Sequence, residues 1–371
     1  MIIGVPTEVK EGEHRVSLTA GAAESLVHDG HHVLVQSGAG EDSGFSDEDY
    51  AQAGAEIVGS AADAYRRADL VLKVKEPQAC EYDLLRPGQV LFTYLHLATE
   101  EQLTHELIAR GVTSIGYETV QMDNGSLPLL TPMSEVAGRM AVQIGAHYLE
   151  GPQGGRGLLL GGVPGVRASS IVIIGGGTVG TNAAMLALGT GARVTVIDIN
   201  LDRLRYLEHV LKGNLSTVAS NRRNIIEAVR RAELLIGAVL IPGAKAPRLI
   251  TDEMIASMEP GSVVIDVAVD QGGCIETIHP TTHAHPTYKV HGVIHYAVTN
   301  IPASVPRTST YALSNATLPY ISQLAGLGFA EAVRRDHALA RGVNTYAGQL
   351  THRAVAQAHG LPCRSLEELV S

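Results

Sequence analysis

The chain has 371 residues, above the size at which a single hydrophobic core usually splits, so two domains are expected. Hydrophobic residues make up 45% and charged residues 18%, which leaves ample apolar material to offset chain entropy and excludes an intrinsically disordered protein. A net charge of −10 without any run of basic residues argues against nucleic acid or an anionic membrane as a partner. The three cysteines, Cys80, Cys274 and Cys363, are far apart with no C-x-x-C, so neither a disulfide framework nor a zinc site is indicated. The N-terminal MIIGVPTEVKEGEHR has no basic n-region followed by an apolar stretch, so no signal peptide is expected and a reducing cytoplasm fits best.

In chain order, the first 120 residues alternate β-branched runs, IIGV (2–5), HVLVQ (32–36), LVLKVK (70–75), VLFTYLHL (90–97) and TSIGYETV (113–120), with helix-like segments at 18–28, 47–53 and 100–109. Such alternation predicts a parallel sheet covered by helices. Ser134, read as an N-cap, opens a long amphipathic helix over about 134–150 that ends at the breaker Gly151-Pro152-Gln153-Gly154-Gly155. A second block follows, with strands at 171–175, 193–198, 233–240, 262–270 and 293–300 and helices at 181–188, 201–211, 224–232 and 252–257. From Asn315 the pattern reads as helical to the C-terminus. The uncharged stretch Ala168 to Ala192 is long enough to raise a membrane flag, but it divides into an aliphatic run, a triple-glycine turn and an Ala-rich helix, so no membrane span is expected. The fold expected is α/β, with two Rossmann-like domains on parallel sheets. A dinucleotide domain (131–305) is inserted into a substrate domain (1–130 and 306–371), the two are joined by long helices, and a cleft between them is the natural ligand site.

Gly175-Gly176-Gly177-Thr178-Val179-Gly180 is a G-x-G-x-x-G directly after an aliphatic strand and before a helix. Gly175 permits the tight turn, Gly177 the approach of a pyrophosphate to the backbone, and Gly180 close helix–sheet packing, while the helix N-terminus supplies free N–H groups. The motif alone is weak. Asp198, about 20 residues on at the end of RVTVID, strengthens it, because a carboxylate there accepts from ribose hydroxyls and repels a 2′-phosphate, favouring NAD over NADP. Arg203 could instead compensate a phosphate.

Open parallel sheets bind ligands outside the carboxyl ends of their strands. Those ends carry Arg15, Lys75, His96 and Glu118 in the first block and Asp270 and Asn300 in the second. Each has a plainer reading: Arg15 as a solvated charge, His96, between Leu95 and Leu97, as a core histidine, and Asp270, before Gln271-Gly272-Gly273, as a turn cap. Lys75 follows the apolar alternation of an interior strand, where an ammonium needs a partner. The stretch His279-Pro-Thr-Thr-His283-Ala-His285 lacks a matching carboxylate and reads as a surface loop, so no metal is expected.

The segments GVPTEVKEGEHRVSLT, VLKVKEP, FTYLHLA, YETVQ, PLLTPMSEVAGRMA, GGRGLLLGGVPGV, GAVLIPGAKAP, DVAVDQGGC and PASVPRTSTYALSNATLPY resemble those of the alanine dehydrogenase family, in order and over essentially the whole chain. The nucleotide-binding subunit of proton-translocating transhydrogenase is a relative that lacks the Lys/His pair retained here as Lys75 and His96. The resemblance implies NAD-dependent, reversible oxidative deamination of L-alanine to pyruvate and ammonium, with a glycine or glyoxylate enzyme as the alternative. It implies His96 and Asp270 as acid–base residues, and Arg15 and Lys75 as substrate-binding residues. It places Ser134, Thr178, Asp198, Arg203, Ser220, Val239, Leu240, Val267, Ala268, Val269, Asp270, Val298, Thr299, Asn300 and Ile301 along NAD. His279 stands where many members carry an arginine near the cofactor. A homo-oligomer, typically a hexamer, is implied as well.

Overall fold

The β-branched runs become strands where they are short, apolar and bounded by turn residues, as a computed structural model of the chain shows for residues 1–239, 247–269 and 272–370. The first block forms β1 (Ile2–Val5), β2 (His32–Gln36), β3 (Glu56–Val58), β4 (Leu70–Leu72), β5 (Val90–Thr93) and β6 (Thr113–Gly116). The second forms β7 (Ser170–Ile174), β8 (Arg193–Asp198), β9 (Leu215–Ala219), β10 (Leu234–Gly237), β11 (Val263–Asp266), β12 (Thr287–Val290) and β13 (Val293–Tyr296). The returning chain adds β14 (Val343–Tyr346) and β15 (Gln349–Leu350).

The chain divides into two compact units, Met1–Met133 with Ala303–Ser371, and Ser134–Pro302. In the first unit the strand order is β15-β14-β6-β5-β4-β1-β2-β3, with β1 to β6 parallel and β14 and β15 antiparallel. In the second it is β12-β13-β11-β10-β7-β8-β9, with only β12 antiparallel. Leaving the antiparallel additions aside, each sheet runs 3-2-1-4-5-6, the Rossmann order. That order reverses direction once per sheet, between β1 and β4 in the first unit and between β7 and β10 in the second. Neighbouring connections leave the sheet toward opposite faces at this point, which opens a crevice at the carboxyl ends.

The central strands β4, β5, β6, β10 and β11 are buried along their whole length, as expected where helices cover both faces. The edge strands β9 and β12 are only partly buried. In the second unit two apolar clusters occupy the two sides of the sheet. Ile171, Ile173, Leu234 and Ile236 lie in one, and Val172, Ile174, Leu235 and Val264 in the other. Helix starts carry the expected caps: Thr19 for Ala20–His28, a Ser46–Asp49 capping box for Asp47–Gln52, and Asn200 for Leu201–Val210.

Several sequence expectations are corrected. The helix read from Ser134 begins at Thr131, with Pro132 in its first turn, so Ser134 is a first-turn residue and not the cap. Proline is tolerated there because the first N–H groups of a helix lack intrahelical partners anyway. The strands read over 70–75 and 90–97 end at Leu72 and Thr93, which leaves Lys75 and His96 in the loops that follow. The segment after 315 is not helical throughout: a helix spans Pro306–Leu327, but β14 and β15 extend the first sheet. Among the described residues no helix is long and apolar enough to cross a membrane, and 168–192 contains β7, the glycine turn and the helix Thr178–Gly189.

Candidate functional site

Arg15, Lys75 and His96 gather at the carboxyl ends of β1, β4 and β5, beside the reversal point of the first sheet. Lys75 Nζ lies 3.4 Å from His96 Nε2, although the two residues are 21 positions apart. The contact exists because β4 and β5 are hydrogen-bonded neighbours, and each side chain sits three residues beyond its strand. Burial and the nearby positive charge of Arg15 hold the Lys75 pKa below its ordinary value. The His96 ring also stacks on Tyr94, with centroids 6.1 Å apart and planes 10° from parallel, and the Tyr94 hydroxyl donates to Leu129 O at 2.6 Å.

Each of the two loops is pinned by a carboxylate from elsewhere. Glu8 accepts the N–H of Val74 (2.6 Å) and of Lys75 (3.3 Å). Glu118 accepts the N–H of His96 (2.7 Å) and of Leu95 (3.1 Å). The second clamp matters more, because His96 has φ +50°, a left-handed conformation that costs a non-glycine residue about 1–2 kcal/mol. Two charge-assisted hydrogen bonds, each contributing about 1.5–3 kcal/mol, outweigh that strain and aim the imidazole.

Glu8 belongs to a buried network. Lys73, 1% exposed, pairs with Glu8 (3.1 Å) and Glu81 (2.9 Å), and Glu81 also accepts the Tyr65 hydroxyl at 2.9 Å. Burial pushes the Lys73 pKa down, but the two carboxylates outweigh it and raise the pKa, which favours the charged ammonium. Lys73 is thus the interior ammonium that needs partners in this strand region, and Lys75 is the one left beside the histidine.

Arg15 is 3% exposed. Its Nε and Nη2 form a fork on the Glu13 carboxylate at 2.7 and 2.5 Å, and Nη1 faces Met133 Sδ at 3.0 Å. Burial opposes the charge, but Glu13 overrides it and raises the Arg15 pKa. Arg15, offset by Glu13, and Lys75 are the cationic groups that stand at these strand ends, the residue types that suit a small carboxylate.

In the second unit the glycine turn follows β7. A Cβ on Gly175 would lie 2.5 Å from Ala238 O, and Gly175 has φ +101°; a Cβ on Gly180 would lie 1.8 Å from Gly175 O. Packing therefore explains both glycines. Gly177 is different: it caps the helix Thr178–Gly189 without a side-chain hydrogen bond, and a Cβ there would meet no atom within 4 Å. An uncapped helix N-terminus facing open space is what a phosphate group needs, so the turn fits a dinucleotide. Asp198, at the end of β8, accepts the N–H of Gly176 at 2.6 Å and of Asn200 at 2.7 Å. Arg203 is engaged with Gly176 O and with the Thr181 hydroxyl (2.6 Å) and lies over the Tyr206 ring.

The remaining expected positions are dispersed over the strand ends of the second unit. Ser220 follows β9 and donates its N–H to Asp198 O at 2.9 Å, and Val239 follows β10. Val267 is half-buried, whereas Ala268 and Val269 are buried. Val298 and Ile301 belong to the core, while Thr299 and Asn300 are half-buried and Asn300 has φ +63°. His279 is exposed and stacks on Tyr288 at 3.8 Å. Leu240 and Asp270 lie outside the described residues. Glu8, Glu13 and Lys73 were not singled out from the sequence; the only hint was the density of acids in TEVKEGEHR.

The chain is similar to known proteins along its whole length. The family model described as "Alanine dehydrogenase/PNT, N-terminal domain" matches residues 4–137, and "Alanine dehydrogenase/PNT, C-terminal domain" matches 141–353. Alanine dehydrogenase of Methanococcus maripaludis is 54% identical over 100% of both chains. That of Bacillus subtilis is 56% identical over 96% of this chain and 94% of its own. A solved L-alanine dehydrogenase superposes with a TM-score of 0.94 at 53% identity, covering 97% of this chain and 99% of that one. A transhydrogenase from Sinorhizobium meliloti gives 0.81 at 26% identity, covering 95% and 100%. With both domain models matched in chain order and more than half the residues shared with full-length relatives, the chain belongs to the alanine dehydrogenase/PNT family.

Proposed function

We propose that the protein catalyses the NAD-dependent, reversible oxidative deamination of L-alanine to pyruvate and ammonium. The observation that carries this reading is the Lys75–His96 contact of 3.4 Å beside buried Arg15, which joins a carboxylate anchor, an oxygen-polarising cation and a proton carrier. The unit Ser134–Pro302 serves as the dinucleotide-binding domain, and Met1–Met133 with Ala303–Ser371 as the substrate domain. Asp198 supports NAD over NADP: a carboxylate has about four acceptor sites, so two backbone contacts leave capacity for ribose hydroxyls, and its charge repels a 2′-phosphate.

When bound, the nicotinamide supplies a two-electron acceptor for the hydride on the alanine α-carbon. The protein's residues do the rest. Arg15 holds the substrate carboxylate and fixes its orientation. His96 takes a proton from the water that adds to the imine and returns one to the departing amine, and the ammonium of Lys75 stabilises the developing carbinol and carbonyl oxygen. The net change is alanine, NAD and water to pyruvate, ammonium, NADH and a proton. Asp270 is proposed as the second acid–base residue on the family resemblance, as are a hexameric assembly and a cytoplasmic location. On the family resemblance, His279 stands where many members carry an arginine near the cofactor.

The test is formation of NADH with L-alanine, with glycine, L-serine and L-lysine as controls and NADP in place of NAD as the cofactor control. Turnover with L-alanine that disappears in His96→Ala, while NADH binding persists, is the expected result. Activity with a control amino acid but none with alanine would overturn the substrate assignment.

A further inference from the structure

The second unit has a solvent-open pocket of about 410 Å³, lined by Arg156, Arg167 and the exposed Arg193, Arg230 and Arg231 together with Glu233 and Glu259. It lies at the amino ends of the strands. Arg193 opens β8, Glu233 immediately precedes β10, and Arg230 and Arg231 occupy the turn before Glu233. The glycine turn follows the opposite, carboxyl end of β7, about 15 Å away at the usual rise per strand residue, so the cavity is no part of the dinucleotide site.

Its charges are unevenly paired. Glu233, 2% exposed, takes Arg167 at 2.7 Å, Arg156 at 3.4 Å and the Ser170 N–H at 2.8 Å. Among the described residues, Arg193, Arg230 and Arg231 have no carboxylate within 4.0 Å and no side-chain hydrogen bond. The lining, five guanidinium groups against two carboxylates, carries a formal +3 in a chain of net charge −10. The C-terminal end of the helix Arg222–Val229 favours a cation at 230 or 231, but it does not account for Arg193 and Arg156 arriving from other segments. Converging like charges repel, and an anion relieves that repulsion. All five cations are arginines, whose planar forks match phosphate oxygens two at a time. The volume falls in the range of small-molecule sites.

We propose that this cavity binds a small multivalent oxyanion of the diphosphate class, as a second site independent of the dinucleotide turn. Phosphate oxygens point in several directions and so accept forks from arginines on separate segments, and a diphosphate approaches the site's charge in magnitude. Inorganic pyrophosphate and the diphosphate of a nucleotide share this chemistry.

The experiment is calorimetric titration of the full-length protein, saturated with NADH, at low ionic strength with inorganic pyrophosphate. Parallel arms use ADP and citrate. One saturable site per chain is expected, with Arg193→Ala or Arg231→Ala weakening pyrophosphate about tenfold, the double variant abolishing binding, and NADH affinity unchanged. Comparable binding of ADP would assign the site to nucleotide diphosphates, and its absence to the free anion. Pyrophosphate binding that survives the double variant, or binding no tighter than that of citrate at equal charge, overturns the proposal. So does a loss of native mass in the variants without loss of a pyrophosphate site, because the arginines would then be facing another copy of the chain.

Discussion

Removing the Glu118 carboxylate should disable the enzyme without touching any group assigned to the chemistry. Glu118→Ala deletes the acceptor of the Leu95 and His96 N–H groups, and Leu95 is fully buried, so water does not readily replace it. The local loss is about 3–6 kcal/mol from two charge-assisted bonds, and the left-handed His96, strained by about 1–2 kcal/mol, is then free to relax. Relaxation rotates the imidazole away from Lys75 Nζ, and a displacement of about 1 Å at a reacting group lowers turnover about 100-fold. Glu118→Gln keeps one carbonyl acceptor and should lose only about tenfold, because a neutral amide makes the weaker bond. Steady-state kcat and KM for L-alanine and NADH titration by fluorescence provide the assay. The expected pattern is a fall in kcat, graded Ala below Gln, with NADH affinity unchanged. A folded Glu118→Ala variant with parental kcat would refute the claim that this carboxylate aims His96.

The two glycines of the phosphate turn should separate binding from stability. Gly177→Ala, whose methyl enters open space, should weaken dinucleotide binding with little change in Tm, whereas Gly180→Ala, whose Cβ meets Gly175 O at 1.8 Å, should destabilise the domain by at least about 1–3 kcal/mol. Asp198→Ala should narrow the preference for NAD over NADP, as read from the two KM values; an unchanged ratio would count against the ribose contact. The Arg67 hydrogen bonds, and then the one to His32, hold the exposed Glu56 pKa at about 2. A carboxylate with a lowered folded pKa adds stability above its unfolded pKa and loses it as pH falls through the folded value. The Tm difference between the parent and Glu56→Gln should therefore be constant near neutrality and close between roughly pH 4.3 and 2. A gap that persists at pH 2 would show that the ion pair is not its source.

Periodicity and turn residues made most of the parallel strands of both blocks legible, and RVTVID was read to the residue as β8. Strand ends were read too long at 70–75 and 90–97, and likewise at 113–120, 233–240, 262–270 and 293–300, because apolar residues continue past the last ladder hydrogen bond into buried loops. Val74, Leu95 and Leu97 are all fully or almost fully buried without belonging to a strand. Five strands were missed: β3 and β15, only three and two residues long, and three more for the opposite reason. β9 and β12 are partly exposed and polar, and β14 is the short VNTY, joined to β6 from more than 200 residues away, so neither hydrophobic pattern nor local propensity marks them.

The sequence by itself determined the chemistry available and where along the chain it falls. A glycine turn between an aliphatic strand and a helix, an acid at the end of the next strand and cations after the strands of the first block are local facts, set by residue type and spacing. Which lysine is buried and which is left beside a histidine was decided only by the tertiary structure. Lys73 and Lys75 differ by two positions, yet Glu8 and Glu81 enclose the first, while the pairing of β4 with β5 brings the second to His96. The left-handed turn at His96 is likewise held by Glu118, 22 residues away. Burial, pairing and backbone strain depend on which strands become neighbours, and that is a property of the whole sheet.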